Sequence, residues 1–120
     1  MDKLTISIFG NKIFSEILHE MKLFSRFSTK YCNDSSSFMK EVNNRNHLIV
    51  FFVNKENEDY LHKIKIYNFP LILIFQNSKS FDLISGELVE KLNAPFKIID
   101  FNKKITILSA KSKFKKNSLI

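Results

Sequence analysis

One cysteine, two glycines and two prolines in 120 residues are each scarce enough to close off a chemistry. A lone thiol, Cys32, forms no disulfide within one chain and builds no cysteine-based zinc site; a small buried filler is the expected role. Gly10 and Gly86 are the only glycines, so a Gly-rich phosphate loop and a dinucleotide fingerprint are absent. The longest apolar runs, Leu48 to Val53 and Leu71 to Phe75, fall far short of the roughly 18 residues of a membrane span. The first residues show no basic stretch leading into an apolar run and a cleavage site, so no signal peptide is expected, and a soluble cytoplasmic protein is. The three histidines, His19, His47 and His62, are far apart, which predicts single surface residues rather than metal ligands. His19 shares a predicted helix with Glu16 and Glu20, whose carboxylates are expected in solvent. No nucleophile, base and oxyanion site can be assembled, so no enzyme, cofactor, metal or small-molecule substrate is expected.

What is present is ordinary globular material: 44% hydrophobic and 26% charged residues, enough for one core in one domain. Lys, Ile, Phe and Asn are in excess while Ala and Gly are rare, a bias toward amino acids of A/T-rich codons that weakens any argument from net charge alone. The distribution of charge says more. Of the formal +7, +6 lies in the last twenty residues, on Lys103, Lys104, Lys111, Lys113, Lys115 and Lys116 with no acid among them. A neutral body with a basic end suits a polyanion or an acidic partner; a solvated helix end enriched in lysine is the plainer account.

Along the chain, Leu4 to Phe9 reads as a strand ending in a turn at Gly10, and Asn11 is placed to cap a helix. In that helix Ile13, Phe14, Ile17, Leu18 and Met21 are expected to face the core, with Ser15, Glu16, His19 and Glu20 outward. Phe24 to Cys32 reads as a half-exposed edge strand. A short helix is expected from Ser35 or Ser36 to Val42, followed by a strand at Leu48 to Val53 buried on both faces. Glu56 to Tyr67 has helical spacing, with Glu56, Glu58 and Asp59 suited to a solvated helix start. Pro70 opens a second wholly apolar strand, Leu71 to Phe75. A short helix over Ser80 to Ser85 and a strand around Leu88 to Leu92 come next. A last helix carries Ile98, Phe101, Ile105 and Leu108 on one face, with fraying or a linker expected from Ser112. Strand and helix alternate five times. Right-handed crossovers then give an open parallel sheet with helices on both faces.

This order, with Pro70 before the fourth strand and Asn93-Ala94-Pro95-Phe96 where such domains carry Lys-Pro-Phe, resembles a response-regulator receiver domain over residues 4 to 110. The resemblance implies an α/β, three-layer, flavodoxin/receiver-like (βα)5 sandwich with strand order 2-1-3-4-5, residues 1–110 forming the domain and 111–120 a basic C-terminal tail or linker. It also implies a cis Ala94–Pro95 bond. The chemical positions of the family fall on unsuitable residues. Its metal-binding carboxylates fall at Phe9 and Gly10, its aspartate nucleophile at Phe52, its hydroxyl at Phe75 and its lysine at Ala94. Phosphoryl transfer needs a nucleophile and a means of neutralising developing charge, and these side chains offer neither. The resemblance therefore implies a degenerate receiver that regulates by binding protein, independently of phosphorylation.

Receiver-like domains pair through their fourth and fifth helices and fifth strand, which places a homodimer interface, or one for another protein, at Phe81, Val89, Phe101 and Ile105. The C-terminal residues are compatible with a following DNA-binding domain, as in a transcriptional regulator, and equally with a stand-alone protein. The alternative is a nucleic-acid or polyanion binder using the six C-terminal lysines, with Phe114 as a stacking ring.

Overall fold

The structure, a computed structural model, describes residues 4–32, 47–54, 70–76 and 86–118; of these, the side chains of His47 and of residues 112–118 are not described. The elements are β1 (Leu4–Phe9), α1 (Lys12–Glu20), a 3-10 turn (Lys22–Phe24), β2 (Phe27–Cys32), β3 (His47–Val53), β4 (Leu71–Phe75), β5 (Val89–Asn93) and α2 (Ile98–Ser118). The strands form one five-stranded sheet in the order β2-β1-β3-β4-β5, with parallel pairing of β1 to β2, β1 to β3 and β4 to β5. This is the expected flavodoxin-like arrangement. The helices expected before Val42, over 56–67 and over 80–85 lie outside the described residues, as do Glu56, Glu58, Asp59 and His62.

Hydrophobicity explains the sheet's grading from centre to edge. Leu48 to Val53 and Leu71 to Phe75 are buried throughout. Such side chains stabilise by about 1.5–3 kcal/mol each when fully removed from water, and an alternating polar residue would forfeit that gain. β2 instead alternates, with Ser28 and Lys30 exposed between half-buried Phe27, Thr29 and Tyr31, as an edge strand should. β5 is mostly half-buried.

The chain divides into two compact units, Met1–Phe52 and Val53–Ile120. In the first, Gly10 has φ 89, a left-handed conformation that any β-carbon would disfavour. Asn11 follows as N-cap, its side-chain oxygen accepting from the Phe14 N–H at 2.9 Å. α1 packs on β1 and β2, but with a different face from the one expected. Ser15 and Leu18 are buried and Phe14 half-buried, whereas Ile13 and Ile17 are exposed. At about 100° per residue, apolar residues at 13, 14, 17, 18 and 21 span a wider arc than one sheet contact covers, and small Ser15 lets the backbone approach the strands. The edge strand also starts later than expected: Phe24 is buried in the 3-10 turn, and Arg26 stacks 4.3 Å over the Phe27 ring. Cys32 is a buried free thiol, and His19 is exposed with Nδ1 3.2 Å from Thr29 Oγ1.

In the second unit α2 packs on β4 and β5 through Phe101, Ile105 and Leu108, all fully buried. Val89 is buried as well, one residue after the expected strand start. Three of the four residues assigned to an interface, Val89, Phe101 and Ile105, are thus core residues that hold the helix to its own strands. The fourth, Phe81, lies outside the described residues. The helix continues to Ser118 rather than fraying from Ser112. No glycine or proline follows Pro95, and lysine and alanine favour the helical backbone.

Candidate functional site

In parallel α/β sheets ligands bind beyond the carboxyl ends of the strands, so those ends are where chemistry would be built. In the first unit they carry aromatic rings. Phe9 and Phe52 are buried, and so is Phe51. The Phe9 ring stacks on Phe51 with centroids 5.9 Å apart, across the β1–β3 pairing that sets these residues side by side. Phe14 reaches from the first turn of α1 to meet Phe52 edge-on at 5.1 Å. Each such pair is worth about 0.5–1.5 kcal/mol beyond its buried area. Gly10, with no side chain, turns the backbone directly after Phe9.

In the second unit Phe75 is buried, and its carbonyl accepts the Ala94 N–H at 2.9 Å. The Ala94–Pro95 peptide bond is cis. Phe96 then packs 6.1 Å from Phe101, joining the loop to the buried face of α2. The side chains at positions 9, 10, 52, 75 and 94 offer no oxygen or ammonium to hold a cation or a phosphoryl group. Among the described residues, no three His, Cys, Asp or Glu side chains gather as a metal site would need.

Among the described lysines of α2, two are held by one carboxylate. Lys104 Nζ lies 3.1 Å from one oxygen of Glu90, and Lys111 Nζ lies 3.4 Å from the other. Lys111 also donates to the Glu87 carbonyl at 3.3 Å. One largely buried carboxylate on β5 therefore engages two of the six candidate polyanion contacts. Lys103 is exposed. Lys113, Lys115 and Lys116 lie on the helical backbone, their side chains outside the described residues, as is that of Phe114.

The sequence places Glu90 and Glu87 on the expected interface face but does not pair Glu90 with lysines. Glu90 stands 14 and 21 residues from its two lysines, so no local spacing points to the cluster. A second group missed is the exposed isoleucines, Ile13 and Ile17 on α1 and Ile99 and Ile107 on α2. For α1 the signal was present, since five apolar positions are more than one buried stripe requires.

Comparison with protein-family models, with curated proteins and with solved structures yields no match. What the chain defines by itself is a class of fold, the flavodoxin-like parallel α/β sheet. Among the described residues no helix is long and apolar enough to cross a membrane.

Proposed function

We propose that the chain is a receiver-like regulatory module that works in the cytoplasm by protein–protein interaction, pairs with a second copy of itself, and does not use phosphorylation. The observation that carries this reading is the trio of buried phenyl rings, Phe9, Phe52 and Phe75, at the carboxyl ends of a 2-1-3-4-5 sheet. A receiver that signals by phosphate needs carboxylates and a cation at those ends. Rings packed there fill the space and favour one conformation. A module without chemistry acts through its surface, and the exposed isoleucines of both helices are surface suited to that task.

Two measurements test the reading. Incubation with magnesium and acetyl phosphate is expected to leave the intact mass unchanged; a phosphoryl adduct would overturn the proposal. Sedimentation velocity at low and high salt, with and without a DNA duplex, is expected to show a dimer that persists in salt and ignores DNA. A monomer that moves onto DNA only at low salt would transfer the function to the lysines of α2.

A further inference from the structure

The dimer just proposed needs a surface, and Val89, Phe101 and Ile105 are inside the core. The exposed isoleucines are open to any apolar partner, whereas β2 selects one. It closes one edge of the sheet, and no described strand pairs with its outer side. An edge strand turns alternate N–H and C=O groups outward, a ready template for another strand. β2 spans Phe27–Cys32 with no proline, and Lys30 is its one charge. Phe27, Thr29 and Tyr31 are half-buried, on the face where His19 of α1 stands 3.2 Å from Thr29, while Ser28 and Lys30 are exposed. All of these residues lie in the unit Met1–Phe52.

We infer that β2 of one copy pairs antiparallel with β2 of a second copy, centred on Thr29. The inference rests on the dimerising reading above and supplies its interface. Two-fold pairing of a strand with itself sets one residue opposite its own copy, and the pairing closes without further subunits. The side chains decide which residue that is. Centred on Ser28 or on Tyr31, the two strands overlap over three residues only. Centred on Lys30 they overlap over residues 28–32, but the lysine opposes itself, and like charges directly opposite destabilise a pair. Centred on Thr29 they overlap over residues 27–31. Phe27 then faces Tyr31 of the second copy, Thr29 faces Thr29, and Lys30 faces Ser28, each off-centre pair occurring twice. Aromatic and Thr–Thr pairs are among those that stabilise antiparallel strands. The two lysines fall on a diagonal of about 7–8 Å, which their long side chains can widen. Arg26, just before the strand, comes opposite Cys32 and meets no cation. The remaining charges nearby, Lys12, Glu16, His19 and Glu20 on α1 and Lys22 after it, stand outside the strand, so the direct cross-strand pairs do not include them. Main-chain hydrogen bonds supply the affinity and these pairs the register, as in strand addition generally.

Ser28 is the position to change, because it is exposed and meets Lys30 of the second copy twice. The test is sedimentation equilibrium of the full chain at low salt, with far-ultraviolet circular dichroism to show that each variant keeps its fold. The wild-type protein is expected to be a dimer. Ser28→Lys sets cation against cation in both pairs and is expected to weaken self-association about tenfold. Ser28→Glu sets carboxylate against ammonium and is expected to tighten it about fivefold. Ser28→Lys/Lys30→Glu is expected to restore at least the wild-type affinity. Weakening by both single variants alike would put Ser28 opposite itself and overturn the register. A wild-type dimer indifferent to all three variants would overturn the interface while leaving the dimerising reading intact. A wild-type monomer at every concentration would overturn both. Amide hydrogen exchange gives a readout independent of charge. Protection in residues 27–31 is expected to rise with protein concentration, and a dimer whose β2 amides exchange as in the monomer would also overturn the assignment.

Discussion

At the carboxyl ends of β1, β3 and β4 the side chains are rings. Phe9, Phe52 and Phe75 are buried, and Phe14 and Phe51 pack on the first two. On α2 the side chains are charged, and the structure keeps two of them, Lys104 and Lys111, on a single glutamate. The first region sets hydrophobic packing where this fold class places its chemistry. The second has kept charge and arranged it against the protein itself.

The largest effect is expected where the first region is made to resemble the second. Phe52→Asp restores the acid that a phosphorylated receiver would carry. The new carboxylate would replace a ring packed edge-on against Phe14, in a site where the neighbouring aromatics supply no cation. Loss of the ring alone costs about 3–5 kcal/mol, and an unpaired buried charge adds to that. Set against a total stability of about 5–15 kcal/mol, the variant is expected to unfold in large part at room temperature, read by urea denaturation. A folded Phe52→Asp protein that binds magnesium and takes phosphate would show that the receiver chemistry is one substitution away, and would break the comparison.

A smaller effect is expected at Gly10. Its φ of 89 is available to glycine at little cost, and the turn it makes seats the ring of Phe9 and the cap at Asn11. Gly10→Ala is expected to cost about 1–2 kcal/mol with no change in self-association, measured by thermal unfolding and sedimentation. An unchanged melting temperature would mean that the turn relaxes freely and that the aromatic cluster does not depend on it.

The sequence carried much of this fold because its central strands are unmistakable. Leu48 to Val53 and Leu71 to Phe75 admit no polar residue, so burial on both faces and parallel pairing follow from them. Less legible was which part of an apolar arc meets the sheet. Spacing groups Ile13 with Phe14 and Leu18, but the small side chain of Ser15, not hydrophobicity alone, sets the contact line of α1. The same limit explains Phe101 and Ile105. Periodicity says that they share a face and is silent on whether that face meets the chain's own strands or another molecule. The Glu90 cluster lay beyond reach because it joins a strand to a helix through side chains far apart in sequence.

That cluster gives the finest test of the comparison. Glu90→Gln keeps the shape of the side chain and removes its charge. The lysines are partly exposed, at 29% for Lys104 and 45% for Lys111, so losing both ion pairs is expected to cost no more than about 1 kcal/mol. The effect on polyanion binding should be the more informative one. With Glu90 neutral, Lys104 and Lys111 no longer face a fixed counter-charge and become available to phosphates. Retention on heparin is expected to rise, and the logarithmic salt dependence of DNA binding to steepen by about one to two. If α2 is instead a nucleic-acid surface already in use, Glu90 would be a minor neighbour and the salt slope would not move. An unchanged slope with strong wild-type binding would therefore assign the lysines to function. A steeper slope from a weak wild-type baseline would show that β5 restrains them, and that this face of the protein is built to hold its own helix.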